Sequence, residues 1–441
     1  VMNGVPNSPI NRYHQVENAI MENNSLVNSD HVQLAAGSDL ERSALPVDSR
    51  MANNLFYSEA DHELFTVYDD ISGIEFENNA SNRESSFGTE HDFVIQNIEL
   101  QRASNGLLYP TDPALASFGV TRDLDPIQKE ETGTTWYAKP EKSSKFEGGS
   151  VINVAAGEGA LAAAVRDSSA GDELVLQSGN HVVSRILEIT HPLTIRSAGS
   201  ADDVRIDYER SALFEIKDGG SLYLKGVTIS GEMTPDSAGN TLIRTQRGSM
   251  LNNYDLIIED SNIVDLDINH SFNVLTVEKS TLADHIRITG SNFSNITGYV
   301  LKLDAEIDDF GIYNAEYVTI ENSSFENVES ALVAYYRGGT DESTFGPHFL
   351  LSDTSLINVG NGSRNKTESS MLLHGVQVST IHDNKIENSQ PVVLKHTVGE
   401  PVTRIFDNSF VATDAPSVEE LNSDKENTAQ IYDNDFSGAM D

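Results

Sequence analysis

Short runs of alternating apolar and polar residues recur along most of the chain, and each ends in a turn rich in Asn, Asp, Ser and Gly. Six runs align on their last apolar residue: 257–263, 288–293, 320–325, 351–356, 381–386 and 405–410. The aligned positions, followed by Phe436, are separated by 30, 32, 31, 30, 24 and 26 residues. Three short strands and their turns need about this length, because a strand residue rises about 3 Å and a turn takes about two to five residues. The pattern predicts an all-β fold, a right-handed parallel β-helix.

Asparagine stands at or next to the penultimate position of most of the aligned runs. In a β-helix, each coil brings the same position of the repeat to the same place, so these side chains would stack as an amide ladder inside the coil or at its corner. We therefore interpret the Asn-rich pairs as structural rather than as ligand-binding.

One segment in the middle of the chain follows a helical period instead. Residues 158–167 place Leu161, Ala164 and Val165 on one face, and a short apolar strand follows at 173–176. Solenoids need terminal caps, because an open end exposes the apolar interior and unpaired backbone groups. We expect this helix to plug the first coil of a solenoid that spans residues 150–441, which places a domain boundary before it.

The first hundred residues repeat the strand pattern, at 20–26, 51–55 and 74–79, without a helix before them. The chain also begins with Val1 and shows no secretion signal. We expect residues 1–100 to be the last rungs of a second, incomplete solenoid whose N-terminal part is missing. Residues 101–149 lack the pattern, contain Trp136 and several prolines, and are predicted to be a linker.

The amino-acid composition argues against several classes of binding partner. The formal charge is −39, from 68 acidic and 29 basic residues, which argues against binding nucleic acid and fits an acidic surface that tolerates salt. No apolar run approaches about 18 residues, so no membrane partner is expected. Cysteine is absent, which excludes disulfides and thiolate metal sites.

Residues 1–13, continued by 15–24 and by 37–46 with Glu41 and Arg42, resemble the later rungs of the catalytic domain in polysaccharide lyase family 6. That family includes alginate lyases and the dermatan-cleaving chondroitinase B. The part from about residue 150 onward resembles the second β-helix of the two-domain alginate-degrading members. The resemblance covers essentially the whole chain.

The resemblance implies a calcium-assisted β-elimination. Ca²⁺ on the uronate carboxylate stabilises the charge that develops when a Lys removes the C5 proton, and an Arg assists the leaving oxygen. In the family, the Lys, the Arg and the calcium ligands lie upstream of the stretch that matches residues 3–9. No catalytic or metal residue is therefore assigned here, and Ca²⁺ is expected on the missing N-terminal part.

Five residues are the candidates for substrate binding: Arg12, Tyr13, His14, His31 and Arg42. Arg12 to His14 follow Pro9 on one loop, and an arginine can hold a uronate carboxylate through two hydrogen bonds. The alternative is that Arg12 and Arg42 pair with Glu17 or Glu41 and only fasten loops. For His31, a turn histidine beside Asp30 is the favoured interpretation.

The second solenoid offers weaker candidates. The sequence Tyr335-Tyr336-Arg337 could grip a sugar acid, but packing against a neighbouring domain is favoured. Residues 265–269 and 304–309 resemble loose calcium loops without the spacing of an EF-hand, so solvated acidic turns are the better interpretation. His374 and Lys395 do not make a convincing second active site.

Three functions stay open. The chain is part of a secreted or periplasmic bacterial alginate lyase that an N-terminal piece completes, or a non-catalytic polyuronate-binding or assembly module, or part of a glycosaminoglycan lyase. A homodimer is a further expectation. Polyanionic substrates are repelled by the net charge unless salt screens it, and marine salt therefore favours alginate over dermatan sulfate.

Overall fold

The structure is a computed structural model that describes residues 2–6, 14–29, 31–60, 63–102, 108–119, 144–307, 311–338, 346–397, 401–421 and 429–438. Two compact units divide the chain, Val1–Glu141 and Lys142–Asp441. The boundaries predicted near residues 100 and 149 stay predictions. Arg12, Tyr13 and Trp136 lie outside the described residues.

The second unit is a parallel β-helix, as predicted, built from three parallel sheets. The strands of the first sheet are Val151–Val154, Glu173–Leu176, Pro192–Ser197, Ser221–Lys225, Tyr254–Glu259, Ala283–Thr289, Ala315–Glu321, His348–Ser352, Val378–His382, Val402–Phe406 and Gln430–Tyr432. Those of the second sheet are Gly157–Glu158, Gly179–Val183, Val204–Tyr208, Thr228–Ser230, Asn262–Leu266, Asn292–Ile296, Ser324–Val328, Ser355–Val359, Lys385–Glu387, Ser409–Val411 and Asp435–Ser437. Those of the third sheet are Leu187–Ile189, Phe214–Ile216, Thr241–Thr245, Asn273–Thr276, Leu301–Leu303, Val333–Tyr336, Met371–His374, Val392–His396 and Ser417–Glu420.

The strand register follows the predicted repeat. The aligned residues pair directly from coil to coil in the second sheet, in the order Ile263, Phe293, Phe325, Leu356, Ile386, Phe410 and Phe436. The rings of Phe293 and Phe325 stack with centroids 4.8 Å apart. Burial of this row from Ile263 to Phe410 fixes the register, because a shift by one residue would turn these side chains outward.

The helix predicted at 158–167 is present as Ala160–Asp167. It begins after Gly159, whose φ of 74° is left-handed. Leu161 and Val165 are buried in the core of the second unit, and Ala164 packs against that core. The strand Val151–Val154 precedes the helix and pairs with Glu173–Leu176, so the first coil already has a strand before its plug.

Polar side chains form a ladder inside the coil, as the asparagine pattern predicts. We define the inner ladder as Ser261, Ser291, Ser323, Thr354, Asn384, Asn408 and Asn434. Each side-chain oxygen from Ser291 onward accepts the backbone N–H of the preceding member, at 3.0 to 3.4 Å. Serine and threonine fill the middle coils, whereas asparagine fills the last three.

The first unit contains shorter parallel sheets. Their strands are Ile20–Glu22, Ser49–Ala52 and Ile74–Glu77; Ser25–Val27, Leu55–Tyr57, Ala80–Ser81 and Val94–Ile95; and Val32–Leu34 with Phe65–Val67. An amide ladder runs from Asn24 through Asn54 to Asn79. Leu100–Arg102 and Leu108–Pro110 form an antiparallel pair.

A short helix, Ser86–Glu90, packs into the aromatic core of the first unit. Its Phe87 stacks on Phe65 with ring centroids 4.3 Å apart, and Phe76 and Phe93 contact Phe87 edge to face. This aromatic cluster is part of the core beneath the strands. Three short 3-10 helices complete the described elements: Pro113–Leu115, Ser144–Phe146 and Ala201–Asp203.

Candidate functional site

The stretch that carries the family resemblance is held tightly in the first unit. The backbone N–H of Asn3 donates to the carbonyl oxygen of Ala36 at 2.8 Å. Gly4 and Ala44 exchange two backbone hydrogen bonds, at 2.8 and 2.9 Å. A Cβ atom on Gly4 would lie 2.4 Å from the backbone nitrogen of Gln15, so only glycine fits there.

Arg42 lies on the loop that follows Val32–Leu34, and its guanidinium binds Asp39. Nε and Nη2 of Arg42 donate to Oδ2 of Asp39 at 2.9 and 2.6 Å. Oδ1 of Asp39 accepts the backbone N–H groups of Arg42 and Glu41 at 2.7 and 2.9 Å. The hydrogen bonds from Arg42 lower the pKa of Asp39 to about 2. Asp39 is thus one carboxylate partner of Arg42, and the loop-fastening alternative with Glu17 or Glu41 stays untested.

Asn3 links this loop to the next one. Its side chain is 1% exposed, and Nδ2 donates to Oδ2 of Asp69 at 3.1 Å and to the carbonyl oxygen of Arg42 at 3.4 Å. The Ser38 hydroxyl donates to the same Asp69 oxygen at 2.9 Å. The backbone N–H of Asp70 and the hydroxyl of Ser38 lower the pKa of Asp69. Asn3 and Asp69 were not among the candidates, although Asn3 stands inside the family-like stretch.

The other described candidates for substrate binding, His14 and His31, lie at two different places in the first unit. His14 is exposed and lies beside Gly4, since a Cβ atom on Gly4 would also meet the backbone of His14 at 2.5 Å. His31 is exposed just before Val32–Leu34, at the end of that strand remote from Ala36. The structure therefore brings His14 and Arg42 to the clamped segment at Asn3 and Gly4, and it places His31 at the opposite end of the strand. Their role in substrate binding stays a prediction.

In the second unit, the predicted sugar-gripping cluster is mostly buried. Tyr335 and Arg337 have no exposed surface, and the hydroxyl of Tyr335 donates to the carbonyl oxygen of Ala315. Tyr336 stacks on His374 with ring centroids 4.2 Å apart. Tyr335 belongs to the core of this unit, whereas the sequence favoured packing against a neighbouring domain.

Calcium finds no ligand set among the described residues. No three His, Asp or Glu side chains in that part of the chain are grouped as a metal site. Asp265, from the first of the two loose calcium loops, accepts a hydrogen bond from Asn295 at 3.2 Å. The expectation that Ca²⁺ binds the N-terminal part of the protein stays a prediction.

A cavity of about 240 Å³ lies on the outer face of the first sheet of the second unit. Phe146 meets Tyr223 edge to face, with centroids 5.7 Å apart, on one side. Arg196 and Lys225 line another side, but Arg196 pairs with Glu173, and Lys225 pairs with Glu259 at 2.5 Å. Both cations that line this cavity are therefore paired with carboxylates.

None of the helices in the described ranges is long and apolar enough to cross a membrane.

The chain is similar to known lyases. The family model of chondroitinase B matches residues 1–118. The solved structure of the PL6 family alginate lyase AlyGC is 44% identical in sequence, with a TM-score of 0.68; the match covers 99% of this chain and 60% of AlyGC. An arginine-to-alanine variant of AlyGC gives 45% identity, the same TM-score and the same coverage. No curated protein matches the chain.

Proposed function

Because the chain belongs to polysaccharide lyase family 6, we propose that the protein which contains it cleaves alginate by β-elimination. The supporting observation is the 44% identity with an alginate lyase across 99% of the chain. The chain spans 60% of the length of that enzyme. The lyase activity is therefore proposed for the whole protein and not for this chain by itself. A secreted or periplasmic location belongs to the same proposal.

In this proposal, the chain contributes substrate binding and the proton-transfer groups lie elsewhere in the protein. The Lys and Arg that the family resemblance implies match no position among the 441 residues. Calcium, when bound, would stabilise the charge that develops on the uronate carboxylate, and no residue of this chain is assigned to it.

The binding role falls first to Arg42. Asp39 holds its guanidinium in a fixed position with the side chain 36% exposed, so little conformational entropy is lost when an anion binds. A uronate carboxylate would compete with Asp39 for the same donors, because the planar guanidinium can hold either carboxylate through two parallel hydrogen bonds. Arg12, Tyr13, His14 and His31 are proposed as further contacts.

A glycosaminoglycan lyase is the second candidate. The observation in its favour is the match of the chondroitinase B family model, which covers residues 1–118. That match spans a smaller part of the chain than the alignment with AlyGC does. A non-catalytic polyuronate-binding module is the third candidate, and it differs from both in forming no unsaturated product.

The activity test compares substrates. The 441-residue chain and the whole protein are incubated with polymannuronate, polyguluronate or dermatan sulfate, with calcium or with a chelator, and the ultraviolet absorbance of unsaturated uronate is followed. We expect calcium-dependent product from alginate by the whole protein and none by the chain alone. If dermatan sulfate were cleaved and neither alginate substrate were, the glycosaminoglycan lyase would be favoured.

Lysine variants test where the proton-transfer group lies. Lys302 pairs with Asp304 at 3.0 Å, and Lys395 pairs with Glu419 at 3.2 Å, so both are held by carboxylates. If the chain alone turned over alginate and lost this activity in Lys302→Ala or Lys395→Ala, the placement of the catalytic groups outside these residues would be wrong.

The binding role is tested with Arg42→Ala in the whole protein. Loss of a charged contact of this kind costs about 1.5 to 3 kcal/mol, which predicts a roughly ten- to hundredfold fall in kcat/KM with little change in Tm. Arg50→Ala is the matched control, since Arg50 also forms ion pairs in this unit, with Glu22 at 2.8 Å and Glu77 at 3.2 Å. A lower Tm with unchanged kcat/KM in Arg42→Ala would support the loop-fastening alternative.

A further inference from the structure

A second polar ladder runs along the surface of the second unit. We define the outer ladder as Asp265, Asn295, Asn327, Asn358 and Asn388. All five residues have left-handed backbones, with φ between 47° and 58°. From Asn295 onward, each amide Nδ2 donates to the side-chain oxygen of the preceding member, at 3.2, 3.4 and 3.0 Å for the first three pairs.

The amides of the outer ladder keep unused hydrogen-bonding capacity. An asparagine side chain has two N–H donors and an oxygen with two lone pairs. In Asn295, Asn327 and Asn358, the ladder uses one donor and one lone pair, and no further partner of these side chains is present among the described residues. Each of these three coils therefore presents one spare donor and one spare acceptor at the same place.

Four members of the outer ladder, Asn295, Asn327, Asn358 and Asn388, line a groove. The groove encloses about 590 Å³, a size typical of ligand sites. One wall is the loop 361–363, where Gly362 N–H donates to the carbonyl oxygen of Glu329 at 2.7 Å. The Asn361 amide donates to the carbonyl oxygen of Asn388 at 2.6 Å, and Gln390 donates to Asn361 at 3.1 Å. These bonds hold the wall against the ladder without an added ligand.

We propose that this groove binds a linear carbohydrate chain, which lies lengthwise along the outer ladder and is recognised by its hydroxyl groups. Coils repeat about every 4.8 Å, so the four members that line the groove span about 14 Å. A sugar hydroxyl both donates and accepts, as each spare amide does. A straight row of such groups suits a straight chain of pyranose rings better than a compact ligand.

The charges of the groove decide which edge of the sugar faces the amides. Asp267 and Glu329 line the groove, and among the described residues no Lys or Arg does. Carboxylates of a polyuronate would be repelled from these walls, so the contacts are to hydroxyls. Two kinds of ligand could supply these hydroxyls. One is a neutral sugar chain, and the other is a polyuronate whose carboxylates point to solvent. The groove shares no residue with the proposed substrate site in the first unit, and its ligand binding does not depend on lyase activity.

The test is calorimetric titration of the whole 441-residue chain, in the presence of a chelator, with β-1,4-linked mannohexaose and with mannuronate hexasaccharide. We expect saturable binding of the neutral sugar, and binding of the uronate that strengthens as salt rises because screening reduces repulsion. If only one of the two sugars binds, the ligand is of that class, neutral or uronate. No binding of either sugar overturns the proposal.

The double variant Asn327→Gly with Asn358→Gly removes two amides and keeps left-handed positions that glycine tolerates. It should weaken binding roughly tenfold or more. Asn322→Gly is the matched control, because Asn322 is also left-handed, with φ of 49°, and lies outside the groove lining; it should bind as the wild type does. Equal affinity in the double variant overturns the proposal. Slower hydrogen exchange at residues 295–388 of the wild type on adding sugar is the second readout, and it supports the site even if the variant fails to fold.

Discussion

The second unit contains two ladders of side chains that repeat with the coils, one inside and one on the surface. In the inner ladder, Oδ1 of Asn408 accepts the backbone N–H and the side-chain N–H of Asn384, at 3.1 and 2.9 Å. Its Nδ2 donates to the carbonyl oxygen of Ile381 and to Asn434, both at 2.9 Å. In the outer ladder, the Asn358 side chain makes two ladder bonds, and no further partner of it lies among the described residues. Burial requires every polar group to be paired, whereas exposure leaves capacity for water or a ligand.

The largest expected effect comes from breaking the inner ladder. Asn408→Ala would leave the buried backbone N–H of Asn384 without its acceptor and would remove a donor to the carbonyl of Ile381, since Asn384 and Asn408 are at most 3% exposed. The free energy of unfolding should fall by about 2 to 4 kcal/mol, measured by denaturant unfolding.

Asn408→Ser is the control for that loss. The hydroxyl of Ser323 accepts a backbone N–H at the same place in an earlier coil, so serine should restore part of the stability. If Asn408→Ala were no more destabilising than a change in the outer ladder, burial would not make the inner ladder more important for stability than the outer one.

The smallest expected effect comes from the outer ladder. Asn358→Gly removes exposed hydrogen bonds at a left-handed position, and the free energy of unfolding should change by no more than about 0.5 kcal/mol. Thermal unfolding of Asn358→Gly beside Asn408→Ala measures the difference directly. A loss as large as that of Asn408→Ala would mean that the outer ladder is a structural element, with no capacity to spare for a sugar.

The sequence predicted the β-helix and its register well, because burial selects one apolar residue per coil and the spacing of those residues is visible directly. Ile263 and Phe293 were aligned from the sequence, and they pair in the structure. The helix was predicted two residues too early. The reason is local: the strand Gly157–Glu158 pairs with the next coil, and left-handed Gly159 then begins the helix.

The side-chain partners were less predictable. Arg42 had several acidic residues within reach, and its choice of Asp39 depends on a loop in which Asp39 also accepts two backbone N–H groups. Tyr335 points inward because it pairs with Leu303 and Leu373 in one buried row. Its neighbours Ala334 and Tyr336 are also apolar or aromatic, so the sequence does not show which side chains of the strand point inward. Contacts between distant coils decide both cases, and no local pattern reports them.

The coil-to-coil pairing of the three sheets also has a mechanical consequence. Hydrogen bonds between parallel strands run across the strands, which in this unit means from one coil to the next. A force that pulls the two ends of the stack apart therefore loads these bonds a few at a time, and the coils should peel off singly. With 24 to 32 residues between aligned positions, each event should release roughly 80 to 110 Å of extended chain. Stretched between a surface and a probe, this unit should lengthen in a sawtooth whose steps count its coils.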